Sequence, residues 1–144
     1  MQIEFIKVKS SDEHLSFLYD RLKNRVHSIS HKRLPDFEEH KSFVENHPYR
    51  YWFLVKIRGK FLGSIYLQND NSVGIDIENQ HYNKYLSSIL KSIKSKIKPL
   101  PEVKSVRPNF FFVNVSTKNK DLILALEKIG GKEVQKSFAL EKLK

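Results

Sequence analysis

The spacing of apolar positions changes several times along the chain, and each change marks an expected element. In residues 2–8, Ile3 and Phe5 share one parity while Ile6 and Val8 share the other, an imperfect alternation that predicts a short strand at or near a sheet edge. Ser10 and Glu13 then have capping-box spacing, and Leu15, Leu18, Tyr19, Leu22 and Val26 recur at steps of three and four. This predicts an amphipathic helix whose other face carries Arg21, Lys23 and Arg25. Residues 28–33 have no period and read as a loop. Asp36 and Glu39 repeat the capping spacing ahead of a stripe of Phe37, His40, Phe43, Val44 and His47, which Pro48 ends. Residues 50–57 are almost continuously apolar, as in a strand covered on both faces. Turns at 58–60 and 69–71 lead into strands over 61–68 and 73–78, so three consecutive strands form a meander.

Beyond residue 79 the helical period returns. Leu86, Ile89, Leu90, Ile93 and Ile97 line one face, Lys91, Lys94 and Lys98 the other, and Pro99 and Pro101 stop the helix. Residues 110–115 read as a second strongly apolar strand, and residues 117–119 can cap a helix whose inner face is Leu122, Ile123, Leu126 and Ile129. Gly130 and Gly131 end it, and Val134, Phe138 and Leu140 share one side of a final strand over 134–140. The order β-α-α-β-β-β-α-β-α-β predicts one α+β domain over residues 1–144, a mixed sheet flanked by about four helices.

A chain of 144 residues can bury one core that needs neither staples nor metal. The absence of cysteine excludes thiolate–zinc sites, thiol nucleophiles and disulfides. No apolar run approaches the ~20 residues of a membrane span, and residues 1–10 alternate instead of forming a leader core, so the expectation is a cytoplasmic chain with no membrane partner. His27 and His31 have a spacing that a metal could use, but no third ligand is near in sequence and no metal is expected. Charge changes the picture most. The formal net charge is +10, and residues 84–107 carry seven basic residues against the single acid Glu102. Such a surface attracts anions, leaving nucleic acid or a phosphate-bearing small molecule open as partners. The lysine series reads equally as a solvated helix face, and no nucleic-acid motif accompanies it.

Three strings narrow the choice. Phe61-Leu62-Gly63-Ser64-Ile65-Tyr66-Leu67, a turn, and Val73-Gly74-Ile75-Asp76-Ile77 form the first. Gln80-His81-Tyr82-Asn83-Lys84-Tyr85, followed by Leu86, is the second. Phe111-Phe112-Val113-Asn114-Val115 with Asn119 and the run Glu127-Lys128-Ile129-Gly130 is the third. In this order they resemble the GNAT superfamily of acyl-CoA N-acyltransferases over about the whole chain. The resemblance implies a mixed, mostly antiparallel central sheet and acetyl-CoA as cosubstrate. Main-chain contacts to the pantetheine arm would come from Ile75, Asp76 and Ile77, with Asn114 and Asn119 flanking it. The second string stands where the family holds its pyrophosphate loop, Gln/Arg-x-x-Gly-x-Gly/Ala. It supplies Gln80, places Asn83 and Tyr85 in the glycine and small-residue slots, and adds His81, Tyr82, Lys84 and Leu86 as neighbours of the phosphates. Asn83 tolerates left-handed backbone angles, a partial substitute for glycine. Leu126 stands where many members carry a tyrosine that protonates the departing thiolate, and Gly131 replaces a phenylalanine.

The implied reaction is transfer of an acetyl group to a primary amine. It needs an amine free of its proton, an oxyanion donor and a proton for sulfur, and no metal. Asp76, Glu78 and His40 are the candidate catalytic groups, and a backbone N–H of Asp76 or Ile77 the candidate oxyanion donor. Residues 30–53 further resemble bacterial members that acetylate amino sugars on nucleotides, which would put His31, His40 and Tyr51 against the acceptor. Bland readings stand beside these: Asp76 and Glu78 as a solvent face, His40 as packing, Trp52 and Phe110 to Phe112 as core. A rival function also stands, a member of this fold that has lost its chemistry and binds an anionic partner such as nucleic acid.

Overall fold

Two N-caps set the first helices. Ser11, one residue later than the sequence spacing suggests, accepts from the His14 N–H and opens α1 (Asp12–Lys23). Asp36 opens α2 (Phe37–Glu45) with both halves of a capping box, the Glu39 N–H donating to its carboxylate at 2.8 Å and its own N–H donating to Glu39 at 3.2 Å. In this computed structural model, which describes residues 2–25 and 33–144, these helices cover one face of an antiparallel sheet. The strands are β1 (Ile3–Lys7), β2 (Tyr51–Ile57), β3 (Lys60–Leu67) and β4 (Val73–Ile77), in spatial order β1-β2-β3-β4. Arg58 and Gly59, both at positive φ, make the tight β2–β3 turn that matches the sheet's twist.

Side-chain alternation splits the sheet into two cores. Trp52 and Leu54 of β2 meet Leu15, Leu18 and Val44 of α1 and α2. Phe53, Val55 and Ile57, with Ile65 and Leu67 of β3 and Val73 and Ile77 of β4, face the other way. They pack on α3 (Ser87–Lys96) and α4 (Lys120–Lys128). Between β4 and α3 the chain makes a 3-10 turn (Asn79–His81) and one π-helical turn (Tyr82–Leu86).

Two expected strands differ from what forms. Residues 110–115 touch β4 only through a parallel bridge of Ser72 with Phe112. The Val73 N–H donates to the Phe112 carbonyl at 2.7 Å and the Phe112 N–H to the Asn71 carbonyl at 3.2 Å, after which no ladder continues among the described residues. Phe111, Val113 and Val115 still pack on the α3 and α4 core, so the apolar signal was one of burial without pairing. Residues 134–140 form no strand, and Val134, Phe138 and Leu140 are exposed. The diverging backbone beside them offers a single side-chain bond, from Gln135 Nε2 to Asn114 Oδ1 at 3.3 Å, in place of a ladder.

Candidate active site

The α1–α2 face of the sheet does not close completely. A cavity of about 500 Å³ lies between the two helices and strands β2 to β4. Ser64, Tyr66 and Asp76 form its floor because, past the β-bulge opposite Val55 and Lys56, alternate positions of β3 and their partners on β4 point to this face. Arg21 reaches over from α1 and donates from Nη2 and Nε to one Asp76 oxygen, at 3.0 and 3.3 Å, while Ser64 Oγ stands 3.5 Å from the other. Both charged side chains are nearly buried, and Nη1 of Arg21 also approaches Glu78 at 3.4 Å.

One wall is aromatic. Tyr49 and Tyr66 stack with ring centroids 4.3 Å apart and an 18° interplanar angle, and Tyr49 meets Trp52 edge-on. Gly74 sits beneath this stack, where any Cβ would strike the Tyr66 ring, so glycine is what lets the phenol lie against β4. Burial pushes the Tyr49 hydroxyl up to about 12 and raises Tyr66 as well, against the opposing charge of Arg25. The indole N–H of Trp52 is buried and has no acceptor among the described residues.

His40 lines the cavity, yet its Nε2 lies 3.0 Å from the Leu15 carbonyl and therefore donates to it. Burial holds its pKa below the ordinary 6.5, against the raising effect of that bond. Burial lowers His14 and His47 too, and each uses Nδ1 as an acceptor, from the N–H of Lys9 and of Tyr49. All three rings thus bind fewer protons folded than unfolded. Their contribution is complete above pH 6.5 and is lost as the pH falls from there through the folded values. A melting temperature measured at pH 7.5, 6 and 5 should fall at each step, and a flat profile over this range would contradict the assigned tautomers.

The second feature is the outer edge of β4. The Val73 N–H points outward to Phe112, and main-chain direction alternates along an antiparallel strand, so Ile75 and Ile77 turn their N–H and C=O to the same open edge. Asp76 turns its carbonyl the other way, against Gly63 of β3. No hydrogen bond among the described residues fills the edge beyond Val73, where residues 113–116 diverge.

No protein-family model and no curated protein matches the sequence. Solved structures do match. A possible acetyltransferase from Clostridium difficile 630 superposes with a TM-score of 0.60 at 12% identity, over 99% of both chains. An aminoglycoside acetyltransferase from an uncultured soil metagenomic sample, in complex with sisomicin, gives 0.57 at 12% identity, over 99% of this chain and 97% of the other. The chain has the GNAT fold. A chimera of the spermidine N-acetyltransferase SpeG from Vibrio cholerae and hSSAT gives 0.57 at 15% identity, over 90% and 80%.

Within the GNAT fold the residues singled out from the sequence are distributed unevenly. Asp76 and His40 share the cavity, whereas Glu78, exposed beside Arg21, does not line it. Tyr51 has the parity of Phe53, on which it stacks, and so belongs to the opposite face from the cavity. His31 lies outside the described residues. Asn83 sits in the π-helical turn and is not among the positive-φ residues, so it does not act there as a stand-in for glycine. Gln80, Asn83 and Lys84 are exposed, His81 and Tyr85 half-buried, and Tyr82 and Leu86 buried. Burial raises the Tyr82 hydroxyl, opposed by its hydrogen bond with Asn119. Asn119 itself caps α4, accepting from the Leu122 N–H, and Asn114 is exposed. Tyr49, Trp52, Tyr66, Arg21 and Arg25 were missed as site residues. The available signal was Gly74, a strand glycine in register with Tyr66 and two residues before Asp76.

Proposed function

We propose that the chain is an N-acetyltransferase that moves an acetyl group from acetyl-CoA to a primary amine. One observation carries the reading: the open edge of β4, with the free main chain of Ile75 and Ile77, adjoins a cavity floored by Asp76 of the same strand. A thioester held along that edge would present its carbonyl carbon to an amine in the cavity. The Ile77 N–H would donate to the developing oxyanion, a backbone dipole fixed in advance. Asp76, oriented by Arg21 and Ser64, would take the amine proton, with exposed Glu78 next on the path to solvent. His40 would serve as a wall, its Nε2–H being engaged by Leu15. The amine's lone pair forms the new C–N bond, the C–S bond breaks, and the sulfur departs as thiolate and takes its proton from solvent water, Leu126 having none to give.

The open β4 edge fits a pantetheine arm. For the pyrophosphate, Gln80, His81 and Lys84 and the N–H groups of the first turn after β4 are the available donors. Asn114 and Asn119 would flank the arm. Small-molecule amines are the supported acceptor class, since the similar structures include aminoglycoside and spermidine acetyltransferases. An amino sugar on a nucleotide is the finer candidate.

The exposed Lys91, Lys94, Lys96 and Lys98 on and just beyond α3, together with Leu126, favour a second reading as an anion-binding member of the fold. Isothermal titration with acetyl-CoA, with adenosine 3′,5′-bisphosphate as control, separates the two. Selective, saturable binding of the whole coenzyme is expected. Equal binding of both, or none of acetyl-CoA, would reject the transferase.

A further inference from the structure

We infer that the cavity recognises an anionic group, carboxylate or phosphate, on the acceptor, through Arg25. The inference rests on the transferase reading for the word acceptor and on the cavity's own charges for the rest. Among the described residues four charged side chains line the space, Arg25, Arg33, Glu39 and Asp76. Asp76 is neutralised by Arg21 at 3.0 Å, and Glu39 by Arg33 at 3.0 Å. Arg25, half-buried just beyond the C-terminal end of α1, has no carboxylate partner among the described residues, and residues 26–32 contain no Asp or Glu that could provide one. One guanidinium with its fork of N–H donors is therefore left over inside a partly enclosed space.

The walls around this guanidinium are aromatic: the Trp52 ring, the Tyr49–Tyr66 stack and Phe43. A molecule with an amine, a flat or cyclic body and an anionic oxygen matches this set. A polycation does not, because the uncompensated charge of Arg25 repels it.

The chain's only tryptophan is Trp52, so its fluorescence reports on this cavity alone. The full-length chain is titrated with four probes: glucosamine, glucosamine 1-phosphate, muramic acid and spermidine. The phosphate-bearing and carboxylate-bearing amino sugars are expected to bind about tenfold or more tighter than glucosamine, as one charge-assisted contact supplies, and spermidine weakest. Their relative order says which anion the natural acceptor carries. Arg25→Gln should abolish the preference, and Arg25→Lys should restore part of it, with melting temperature and acetyl-CoA titration unchanged in both. Spermidine or glucosamine binding as tightly as the anionic probes overturns the inference. So does failure of both anionic probes to bind, or a preference that survives Arg25→Gln. Anion preference without acetyl-CoA binding would remove the transferase and keep the site, whereas acetyl-CoA binding without the preference would remove the site alone.

Discussion

Replacing Asn71 with alanine is expected to lower folding stability by about 3–5 kcal/mol, measured by urea denaturation. Asn71 is fully buried at the β3–β4 turn, with φ of 73°. Its amide donates to the carbonyls of Leu100 at 2.9 Å and Pro108 at 2.7 Å, and its Oδ1 accepts the Leu100 N–H at 2.8 Å. Each of these bonds contributes about 1 kcal/mol net, and alanine would also have to hold a left-handed backbone at about 1–2 kcal/mol. Asn71→Gly removes the strain but not the lost bonds, so its deficit should be smaller by about that amount. The expected consequence reaches the site as well. The Phe112 N–H bonds to the Asn71 carbonyl, which makes this residue the apex from which residues 113–116 diverge from β4. Folded Asn71→Gly protein should therefore bind acetyl-CoA more weakly than the parent, and unaltered binding would show that the opening does not depend on that apex.

Asn71 also shows where sequence reading stops. As a sequence feature, Asn69-Asp70-Asn71 is a turn between strands, and the turn does form there. Nothing in the string tells that the third residue would be buried and clamp two segments 29 and 37 positions away, because that partnership is tertiary. Elements with their own local signals were legible: the Asp36–Glu39 box, the strand meander and the α3 stripe all form near the places their periods indicate. Residues 110–115 and 134–140 read as strands because strand patterns record burial and alternation, whereas a strand also needs a neighbour with free main chain in register. In the site, parity decided the errors. Tyr49-Arg50-Tyr51-Trp52 contains three aromatics, and only the exact strand phase tells that Tyr51 joins the α3 core while Trp52 faces α1 and α2. Asp76 was legible as a candidate through the resemblance to the GNAT strings. Its partner Arg21 was not, since a helix face rich in basic residues gives no hint of which one turns inward.

That pair sets the other large expectation. Asp76→Ala should cost about 3–5 kcal/mol in urea denaturation, because it strands a nearly buried guanidinium whose remaining contact is Glu78 at 3.4 Å. A double variant, Arg21→Met with Asp76→Leu, should recover most of the loss, since replacing both members leaves no buried charge without a partner. Stability and chemistry separate in Asp76→Asn. The amide keeps the shape and one acceptor oxygen for Arg21 but takes no proton at neutral pH, so acetyl transfer should fall by about a hundredfold or more while acetyl-CoA affinity, which the proposed function assigns to the open outer edge of β4, should hold. If Asp76 only orients the amine, a water or the free substrate would accept the proton instead. The rate of Asp76→Asn should then rise with pH until it approaches that of the parent, as the amine sheds its own proton. A deficit that persists across pH 7 to 9.5 is the result expected of a carboxylate that takes the proton, and a deficit that closes would reassign Asp76 to positioning.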